Sequence, residues 1–416
     1  MTPKNLQGDK RNSAEISSSN LTNGKARNEA QIGLQSGARN DSENGSIIIC
    51  GGGTGGHLAV AKALNEELVS RGCKTIFVGS SGGQDKMWFE NDDAFSEKFF
   101  LPSSGVVNKK GLGKLFSLFN ILNLALKCRV IFKARGVKAV VSVGGYSAAP
   151  AAFAAIISRT PLFIHEQNAV IGSLNKLLKP LAKGFFSSYF KPVFSYPVAE
   201  RFFKTARLRD ELKTVIFLGG SQGAAAINSL ALKLAPTLTQ KGVKIIHQCG
   251  KNALESLRKE YKKLSIGGDE LELFDFDPKI ELKMNRADLA VSRAGAGTLW
   301  ELTANALPSV FVPYPYAAND HQVFNAKFLV DQNLAEFCFQ KDGEVDADEM
   351  LNLINEMDLK QISSKLAKQI DNDGARKIAD EILKNMALFN LSSHKGVASY
   401  DDNYVLLSNE RSEVKK

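Results

Sequence analysis

The stretch Ile47-Ile48-Ile49-Cys50-Gly51-Gly52-Gly53-Thr54-Gly55-Gly56-His57 decides the fold, because an apolar strand runs into small residues and then into a helical pattern. That helical pattern is predicted from Leu58 to about Arg71. A strand, a glycine loop and a helix in this order direct backbone N–H groups and the positive end of the helix toward one point, which suits an anion such as a phosphate. His57 is unusual at the end of such a loop, where dinucleotide-binding and P-loop fingerprints have glycine, lysine or serine. The sequence therefore predicts a proton-transfer group beside an anion site.

The composition is that of a globular enzyme. The chain has 416 residues, which is enough for two domains, and a hydrophobic share of 44%. Its N-terminus is polar, so no signal peptide is indicated. The cysteines lie far apart without metal-like spacing, which favours reduced thiols in a cytosolic protein. They are Cys50, Cys73, Cys128, Cys249 and Cys338.

The net charge of +9 is unevenly distributed along the chain. Residues 101–140 contain no acid and have these basic residues: Lys109, Lys110, Lys114, Lys127, Arg129, Lys133, Arg135 and Lys138. They flank an apolar helical stretch, Leu115 to Leu126, whereas surfaces that follow nucleic-acid phosphates are usually polar. This favours a membrane-surface element over nucleic-acid binding. The apolar run is shorter than the roughly 20 residues that span a bilayer, and a core helix with solvated lysines is the alternative.

Strands and helices alternate along most of the chain. Residues 1–45 are polar and are predicted to be a disordered leader. The alternation that follows predicts parallel sheets with helices on both faces. A second strand and glycine loop, Val215–Gly223, repeats the first unit, so we predict domains at 46–200 and 201–385, a cleft between them, and a polar tail at 386–416. The predicted strands are 46–51, 75–79, 138–143, 161–165, 214–219, 243–248, 271–275, 288–292 and 309–313.

Polar or glycine-rich clusters follow several of these strands. They are Val143–Pro150, His165–Asn168, Gly219–Ala224, Ser292–Glu301, and Asp320-His321-Gln322 with Asn325. Each has a structural alternative. Glycine turns are often only tight corners, His165 could be a satisfied core histidine, and Glu301, placed in the first turn of a helix, could be a charge worth ~0.3–1 kcal/mol against the dipole. Asp275-Phe276-Asp277 has the spacing of a metal-binding motif of some sugar transferases, but its apolar strand-to-loop setting does not favour a metal.

Together these residues resemble the MurG family of peptidoglycan glycosyltransferases, from about Ile47 to Lys384. The resemblance implies an α/β fold of the GT-B type, with two doubly wound Rossmann-like parallel-sheet domains facing across a cleft. It also implies transfer of N-acetylglucosamine from UDP-N-acetylglucosamine to lipid I (undecaprenyl-pyrophosphoryl-MurNAc-pentapeptide), which forms lipid II on the cytoplasmic side of the membrane. The motifs that carry it are Thr54-Gly55-Gly56-His57, Gly144-Gly145-Tyr146, His165-Glu166-Gln167-Asn168, Gly219–Ala224, Arg293-Ala294-Gly295-Ala296 with Glu301, and His321-Gln322 with Asn325-Ala326.

The resemblance implies a role for individual residues. The implied donor-binding residues are Thr54, Gly55, Gly56, Asn168, Ser221, Gln222, Ala296, Gly297, Thr298, Glu301 and Gln322. The implied acceptor-binding residues are Gly53, His57, Gly144, Gly145, Tyr146, His165 and Glu166. Glu301 would accept both ribose hydroxyls. His57 is the candidate general base of an inverting displacement, with acceptor positioning as the alternative.

The resemblance also bears on cofactors and partners. No metal or cofactor is expected, because N–H donors at Gly219–Ala224 can stabilise the leaving diphosphate. The expected partners are UDP-N-acetylglucosamine, lipid I and the inner face of the cytoplasmic membrane, which the basic apolar segment near 106–132 would contact. No nucleic acid is expected.

The sequence departs from the family pattern at a few positions. The family has about four more residues, including a proline, between the loop histidine and the helix face, whereas Leu58 follows His57 directly. The family's Asn-Pro-Val-Arg appears as Tyr196-Pro197-Val198-Ala199, so a donor-side arginine is absent and Arg201 or Lys204 is the candidate substitute. Three further departures are Ala148 for serine, Ile171 for proline and Ala294 for serine.

Three other functions stay open at this point. A nicotinamide-dependent oxidoreductase is disfavoured, because the loop lacks Gly-x-Gly-x-x-Gly spacing and Ser80–Gly83 stands where an acid should end the second strand. Another glycolipid glycosyltransferase of the GT-B fold is the stronger rival. A non-catalytic membrane scaffold that binds a nucleotide sugar is the third, and His57 argues against it, since a pure binder needs no base.

Overall fold

The computed structural model describes residues 45–105, 112–220 and 222–393, with side chains omitted at 112, 114 and 388–393. Four parts of the sequence predictions fall wholly or mainly outside these residues. They are the 1–45 leader, the start of the 106–132 segment, Ser221, and most of the 386–416 tail.

The first half of the chain forms a parallel sheet of six strands in the order β3-β2-β1-β4-β5-β6. The strands are β1 Ile47–Cys50, β2 Thr75–Ser80, β3 Glu97–Leu101, β4 Ala139–Ser142, β5 Leu162–Glu166 and β6 Gly184–Ser187. The helices between them are α1 Gly55–Ser70, α2 Asp85–Phe89, α3 Leu112–Ala134, α4 Ala149–Ser158 and α5 Ser173–Leu178. The central strand β1 is buried along its whole length, with Ile47 in register with Thr75 and Ala139.

The second half repeats this topology in a sheet of order β12-β11-β10-β7-β8-β9. Its strands are β7 Thr214–Leu218, β8 Lys244–Gln248, β9 Leu271–Phe274, β10 Leu289–Ser292, β11 Ser309–Phe311 and β12 Ala335–Phe337, beside a short hairpin of β13 Gln340–Lys341 and β14 Glu344–Val345. The helices are α6 Glu200–Lys204, α7 Ala225–Gln240, α8 Leu254–Lys263, α9 Ile280–Arg286, α10 Ala296–Ala304, α11 His321–Val330, α12 Ala347–Glu356, α13 Leu359–Leu366 and α14 Gly374–Ser393. In each sheet the chain adds strands first on one side of its first strand, β1 or β7, and then on the other side. This strand order confirms the predicted doubly wound fold.

In the two six-stranded sheets the sequence prediction missed three strands, and all three lie at sheet edges. They are β3, β6 and β12. It also missed the short hairpin of β13 and β14. Every residue of β3 is only half buried, whereas β1 and β4 are buried throughout. An edge strand faces solvent on one side and is therefore not a continuous apolar run, which is the signal on which the prediction of parallel strands depends.

The last helix described, α14, returns to the first half of the chain and packs on α1. Its residues Ile378, Ala379 and Ile382 are fully buried in an apolar cluster that contains residues of both sheets. At the surface, the Arg71 guanidinium pairs with Asp380 at 2.5 Å and donates to the Arg376 carbonyl at 3.1 Å. The chain therefore connects the two halves twice, once after β6 and once before α14.

Helix α3 is apolar on two sides. Its inner side, with Leu124, Ala125 and Cys128, is buried in an apolar cluster with α4. Its outer side exposes Phe116 and Phe119, each at 72%, together with these residues: Leu115, Leu118, Leu122, Leu126 and Val130. The apolar part is longer than the sequence indicated, because Leu115–Ala134 is long and apolar enough, by length and composition alone, to cross a membrane. Because its inner side packs on α4, α3 is a surface helix of the first half of the chain. Its outer face is apolar and exposed.

Candidate active site

The turn between β1 and α1 forms one wall of the site. The helix begins at Gly55, three residues earlier than predicted, so His57 lies in its first turn rather than at the end of the loop. The N–H groups before the helix are already used within the protein, since Gly52 donates to the Gly144 carbonyl at 3.1 Å and Gly53 donates to Asp85 Oδ1 at 2.5 Å. The N–H groups of the first helical turn have no partner within the helix, which leaves them available to an anion.

Asp85 fixes this turn, although sequence reasoning did not single it out. Its side chain is fully buried, and its second oxygen accepts a hydrogen bond from the Ser80 N–H at 2.7 Å. One carboxylate therefore joins the ends of β1 and β2. No motif marks Asp85, because a carboxylate that binds loop N–H groups has no fixed spacing in sequence.

Replacing Asp85 with asparagine is expected to destabilise the fold by about 1–3 kcal/mol, because one amide N–H of the loop would then face an NH₂ group instead of an acceptor. Urea unfolding should show this loss. Asp93→Asn is the matched control, since Asp93 is exposed and the same chemical change there leaves no loop N–H unpaired. Equal unfolding midpoints for the two variants would contradict the role given to Asp85.

The imidazole of His57 lies between the turn and the loop after β4. Its Nδ1 is 2.7 Å from Thr54 Oγ1, and a methyl group added at Gly144 would lie 3.3 Å from its Nε2. Gly144 has a φ of +88°, a conformation that side chains rarely adopt, so glycine is required there on two counts. With the Nδ1 proton donated to Thr54, Nε2 is free to accept a proton. Burial and the neighbouring His321 lower the pKa of His57 to about 4, so the ring is neutral at pH 7.

Tyr146 closes the other side of the turn. Its hydroxyl donates to the Gly82 carbonyl at 3.1 Å, and its ring lies against Gly53 so closely that a side chain at Gly53 would clash with it. Gly145, which precedes it, has a φ of +77° and packs on the backbone of Gly52. The predicted residues Gly53, Gly144, Gly145 and Tyr146 are therefore brought together around His57.

His165 lies at the end of β5, beneath the site. It is 1% exposed, and neither ring nitrogen has a hydrogen-bond partner within the described residues. Its ring meets Tyr196 edge to face at 5.7 Å between centroids. Burial, with a smaller contribution from His57, lowers its pKa to about 3. His165 is thus a buried, neutral histidine, but it lacks the hydrogen bonds within the described residues that a core histidine normally makes.

Glu166 organises the loop after β5. Its Oε1 accepts from the Asn168 N–H at 3.0 Å, and its Oε2 accepts from the Gly172 N–H and Asn175 Nδ2, each at 2.9 Å. These bonds hold the loop in place and direct Asn168 toward the second half of the chain.

Asn168 and Asn325 join the two halves across the cleft. Asn325 Nδ2 donates to Asn168 Oδ1 at 3.1 Å and to the Ala294 carbonyl at 3.2 Å, while its Oδ1 accepts from the Ala169 N–H at 2.8 Å. Asn325 is fully buried. This side chain therefore ties the loop after β5 to the loop after β10.

An aromatic stack next to this bridge supports α10. Trp300 stacks on Phe328 at 5.0 Å and on Tyr196 at 5.8 Å between centroids, and its indole N–H donates to the Tyr189 hydroxyl at 3.1 Å. Tyr189 in turn donates to the Asn325 carbonyl at 3.2 Å. Sequence reasoning missed Tyr189 and Phe328 and gave Tyr196 no packing role, because scattered aromatics at a domain junction form no motif.

Helix α10 meets α1 at their amino ends. A methyl group added at Gly297 would lie 3.2 Å from the Gly56 Cα, so the two predicted donor-binding turns are in contact. Glu301 is the sixth residue of α10 and so lies in its second turn, not in the first as predicted. A stabilising helix-end charge acts within the first turn, so this alternative does not explain Glu301.

Glu301 lines a narrow cavity with residues of both halves. The cavity is also lined by Lys62 and Ala59 of α1, by Tyr196-Pro197-Val198-Ala199, by Arg201 and by Gly297. Burial raises the pKa of Glu301 to about 7, and Glu281 adds to this rise, whereas Arg201 opposes it. A carboxyl group with this pKa can change its protonation state close to neutral pH.

A wider cleft of about 350 Å³ lies at the amino end of α7. It is lined by Gly219, Gly223 and the first residues of α7, and by Arg293, Tyr314, Gln322, Gln340 and Gly343. Gln322 Oε1 accepts from the Tyr314 N–H at 2.9 Å, and Arg293 donates to Gln340 Oε1 at 2.9 Å. Gln222 is exposed in the loop before α7. The amino end of a sixteen-residue helix and a guanidinium give this cleft a positive potential suited to a diphosphate.

Both halves of the chain match domains of one known glycosyltransferase family. The glycosyltransferase family 28 N-terminal domain matches residues 47–187, and its C-terminal domain matches residues 214–382. The UDP-N-acetylglucosamine–N-acetylmuramyl-(pentapeptide) pyrophosphoryl-undecaprenol N-acetylglucosamine transferase of Campylobacter fetus is 55% identical over 81% of this chain and 99% of its own length. The same-named enzyme of Campylobacter hominis is 56% identical over 82% of this chain and 98% of its own. The crystal structure of Acinetobacter baumannii MurG superposes with a TM-score of 0.63 at 27% identity, over 82% of this chain and 99% of that one.

The chain belongs to the MurG family. The fold is shared more widely, since the glycosyltransferase of kitacinnamycin superposes with a TM-score of 0.61 at 15% identity.

Two departures from the MurG pattern have a structural account. Leu58, which follows His57 directly, is fully buried, so the shortened loop keeps the apolar face of α1 on the core. Ala199 precedes α6 and lines the Glu301 cavity, where it offers no charge. Of the two candidate substitutes, Lys204 pairs with Glu200 at the exposed surface, whereas Arg201 lines the cavity itself.

Other sequence predictions are placed as follows. Asp277 pairs with Lys283 at 2.8 Å, and Asp275 accepts a hydrogen bond from the adjacent Phe276 N–H, so the Asp-x-Asp pair has structural contacts. Within the described residues, no group of three or more His, Cys, Asp or Glu side chains could hold a metal ion. His247 is fully buried, and its ring nitrogens contact Tyr261 and Asn228.

Proposed function

We propose that the chain transfers N-acetylglucosamine from UDP-N-acetylglucosamine to lipid I to form lipid II in peptidoglycan synthesis, and so contributes to cell shape and division. The observation that carries this is a neutral histidine, His57, in the first turn of α1, with the amino ends of α1 and α10 in contact beside it. A proton acceptor is thereby combined with N–H groups that suit phosphates. The two Campylobacter relatives, which are 55% and 56% identical to this chain, support the choice of substrates.

The reaction is an inverting displacement at the anomeric carbon of the donor sugar. The muramyl 4-hydroxyl oxygen attacks this carbon, the bond to the diphosphate oxygen breaks, and UDP leaves. His57 Nε2 takes the hydroxyl proton, which its low pKa permits at neutral pH because the ring is unprotonated. A bound acceptor diphosphate raises the pKa of His57 by its negative charge, which makes the ring a stronger base once the substrate is in place.

The second half of the chain binds the donor in this proposal. The amino end of α7 and Arg293 stabilise the charge that develops on the leaving diphosphate. Glu301 accepts hydrogen bonds from the ribose hydroxyls, and Gln322, fixed by the Tyr314 N–H, contacts the sugar. Asn168 and the first turn of α1 close over the donor from the other side.

The proposal is tested by sugar transfer from radiolabelled UDP-N-acetylglucosamine to a short-chain lipid I analogue, with and without EDTA. We expect labelled lipid II analogue in both conditions, since the helix amino end and Arg293 supply positive charge at the diphosphate. UDP-glucose in place of UDP-N-acetylglucosamine tests the donor. A folded protein that binds UDP-N-acetylglucosamine but transfers nothing to lipid I would overturn the proposal and favour another glycolipid acceptor.

The enzyme acts at the inner face of the cytoplasmic membrane in this proposal, because its acceptor is anchored there. Between Lys98 and Ala199 the only acidic residue is Glu166, which is buried. Helices α3 and α5 cover the same face of the first sheet, and exposed Leu177 and Leu181 add apolar surface near Lys176 and Lys179. Apolar side chains flanked by lysines and unopposed by acids fit an anionic bilayer surface.

Replacing Phe116 and Phe119 together with serine is expected to weaken binding to vesicles with a third of anionic lipid about a hundredfold. Each ring contributes about 1.5 kcal/mol of apolar burial in the bilayer. Vesicle co-sedimentation measures the effect. Phe276→Ser is the matched control, because Phe276 is 44% exposed on the second half of the chain and should not touch lipid. Undiminished binding of the double variant would contradict this docking surface.

A further inference from the structure

Glu301 and Arg201 both line the narrow cavity described above, and Glu281 pairs with Arg201 beside it. Glu301 belongs to α10, Arg201 to α6 and Glu281 to α9. Arg201 Nε lies 3.4 Å from Glu281 Oε2, an ion pair in which Glu281 is 6% exposed. Within the described residues, neither of these two atoms has a hydrogen-bond partner. The Nε atom of Arg201 therefore lies near Glu281 without a directional hydrogen bond to it.

The other charged and titratable groups around Glu301 are engaged elsewhere. Lys62 of α1 lines the same cavity, but its ammonium pairs with Asp92 at 2.9 Å and lies 3.9 Å from Glu66. Tyr196 donates its hydroxyl to Gln167 Oε1 at 3.3 Å, and burial raises its pKa well above the ordinary value, so it stays neutral. Lys62 is thus paired with two carboxylates outside the cavity lining, whereas Arg201 has one carboxylate partner, Glu281, and lines the cavity together with Glu301.

We propose that Arg201 is a positioning residue for the nucleotide donor, which keeps Glu301 ionised and in place to accept the ribose hydroxyls, and that Glu281 opposes it. This inference rests on the proposed function, since it concerns the same donor site. It applies to this chain in particular, because Ala199 leaves the linker before α6 without a charge in the cavity.

The inference has a definite consequence for the pH dependence of donor binding. Since the pKa of Glu301 is about 7, the KM for the donor should rise as the pH falls below 7, about tenfold per pH unit once the carboxyl group is mostly protonated. Removing the positive charge of Arg201 moves this rise to higher pH. Removing the negative charge of Glu281 moves it to lower pH, so the two variants shift the profile in opposite directions.

The experiment measures KM for UDP-N-acetylglucosamine and kcat between pH 5.5 and 9 for wild type, Arg201→Gln, Arg201→Lys and Glu281→Gln. We expect Arg201→Gln to raise KM about tenfold at pH 7 and to approach wild type at pH 9, with kcat changed less than threefold. Arg201→Lys should recover most of the loss. Lys204→Gln is the matched control with wild-type values, because Lys204 pairs with Glu200 at the exposed surface.

UDP binding, measured by calorimetry on the same proteins, distinguishes a failure of the proposed function from a failure of the inference about Arg201. Failure of wild type to bind UDP would overturn the proposed function together with the inference. Wild-type binding with a KM for Arg201→Gln that is unchanged, or raised equally at all pH values, would overturn the inference alone. A shift of the Glu281→Gln profile in the same direction as that of Arg201→Gln would also overturn it.

Discussion

Replacing His57 with alanine is expected to lower kcat for sugar transfer by about 10²–10⁴-fold, which is about 3–5 kcal/mol in activation free energy. The reason is that the acceptor alcohol is a weak nucleophile, and the variant lacks the His57 imidazole that would accept its proton. The KM for the donor should change little, because His57 lies beside Gly144, which belongs to the loop assigned to the acceptor. Single-turnover transfer to the lipid I analogue measures the loss.

Chemical rescue distinguishes a base from a positioning group. Added imidazole should restore part of the rate of His57→Ala, because it can occupy the vacated volume and accept the proton. Thr54→Val should cost less, since it removes only the partner that orients Nδ1. An alanine variant with full kcat would remove His57 from the chemistry. An unchanged kcat with a raised KM for the acceptor would make it a positioning residue.

Acid should destabilise the protein through its buried histidines, by roughly 4 kcal/mol at pH 5 for His165 and His247 together. The pKa of each is lowered to about 3 by burial. Below about pH 6.5 the unfolded chain takes up protons that the folded chain does not bind. The two neutral histidines therefore cost no stability above pH 6.5. Below it, each lowers the free energy of unfolding by about 1.4 kcal/mol for each pH unit, down to about pH 3. Glu301 acts in the opposite sense, since its raised pKa favours the folded protein as the pH falls below 7.

A comparison of variants isolates the histidine contribution from that of Glu301. His247→Gln removes a titrating group while keeping polar atoms near Tyr261 and Asn228. As the pH falls from 7.5 to 5, the difference in unfolding free energy between this variant and wild type should change by about 2 kcal/mol in favour of the variant. Urea unfolding at both pH values measures it. A constant difference between the two proteins across this range would show that His247 is not held neutral in the fold.

The sequence predicted the centre of each sheet better than its edges. Strands β1, β4 and β10 are buried throughout, so each is an unbroken apolar run that stands out in the sequence. The edge strands β3 and β12 contain Glu97 and Glu336 among their apolar residues, because one side of each meets solvent. A strand that is buried on one side only gives a weaker sequence pattern than a central strand.

The candidate site was predicted where its residues follow a strand directly. Gly144, His165 and Ala296 each come within a few residues of a strand end, and parallel strands bring those ends together. Asp85 acts from the start of α2 and Tyr189 from a linker, each through two hydrogen bonds to groups that are distant in sequence or belong to another loop. Such contacts depend on three-dimensional proximity rather than on spacing along the chain, so nothing in the sequence distinguishes these residues from their neighbours.

The return of α14 to the first half limits how the two halves can move. A body attached at one point can swivel in every direction, whereas a body attached at two points turns easily only about the line that joins them. The crossings after β6 and before α14 are two such points, and the contact of Gly374 with the Ser195 backbone brings them close together. We therefore expect the two halves to open for substrates by a hinge motion about a restricted set of axes. Such a motion returns Gly56 and Gly297 to the same contact at every turnover.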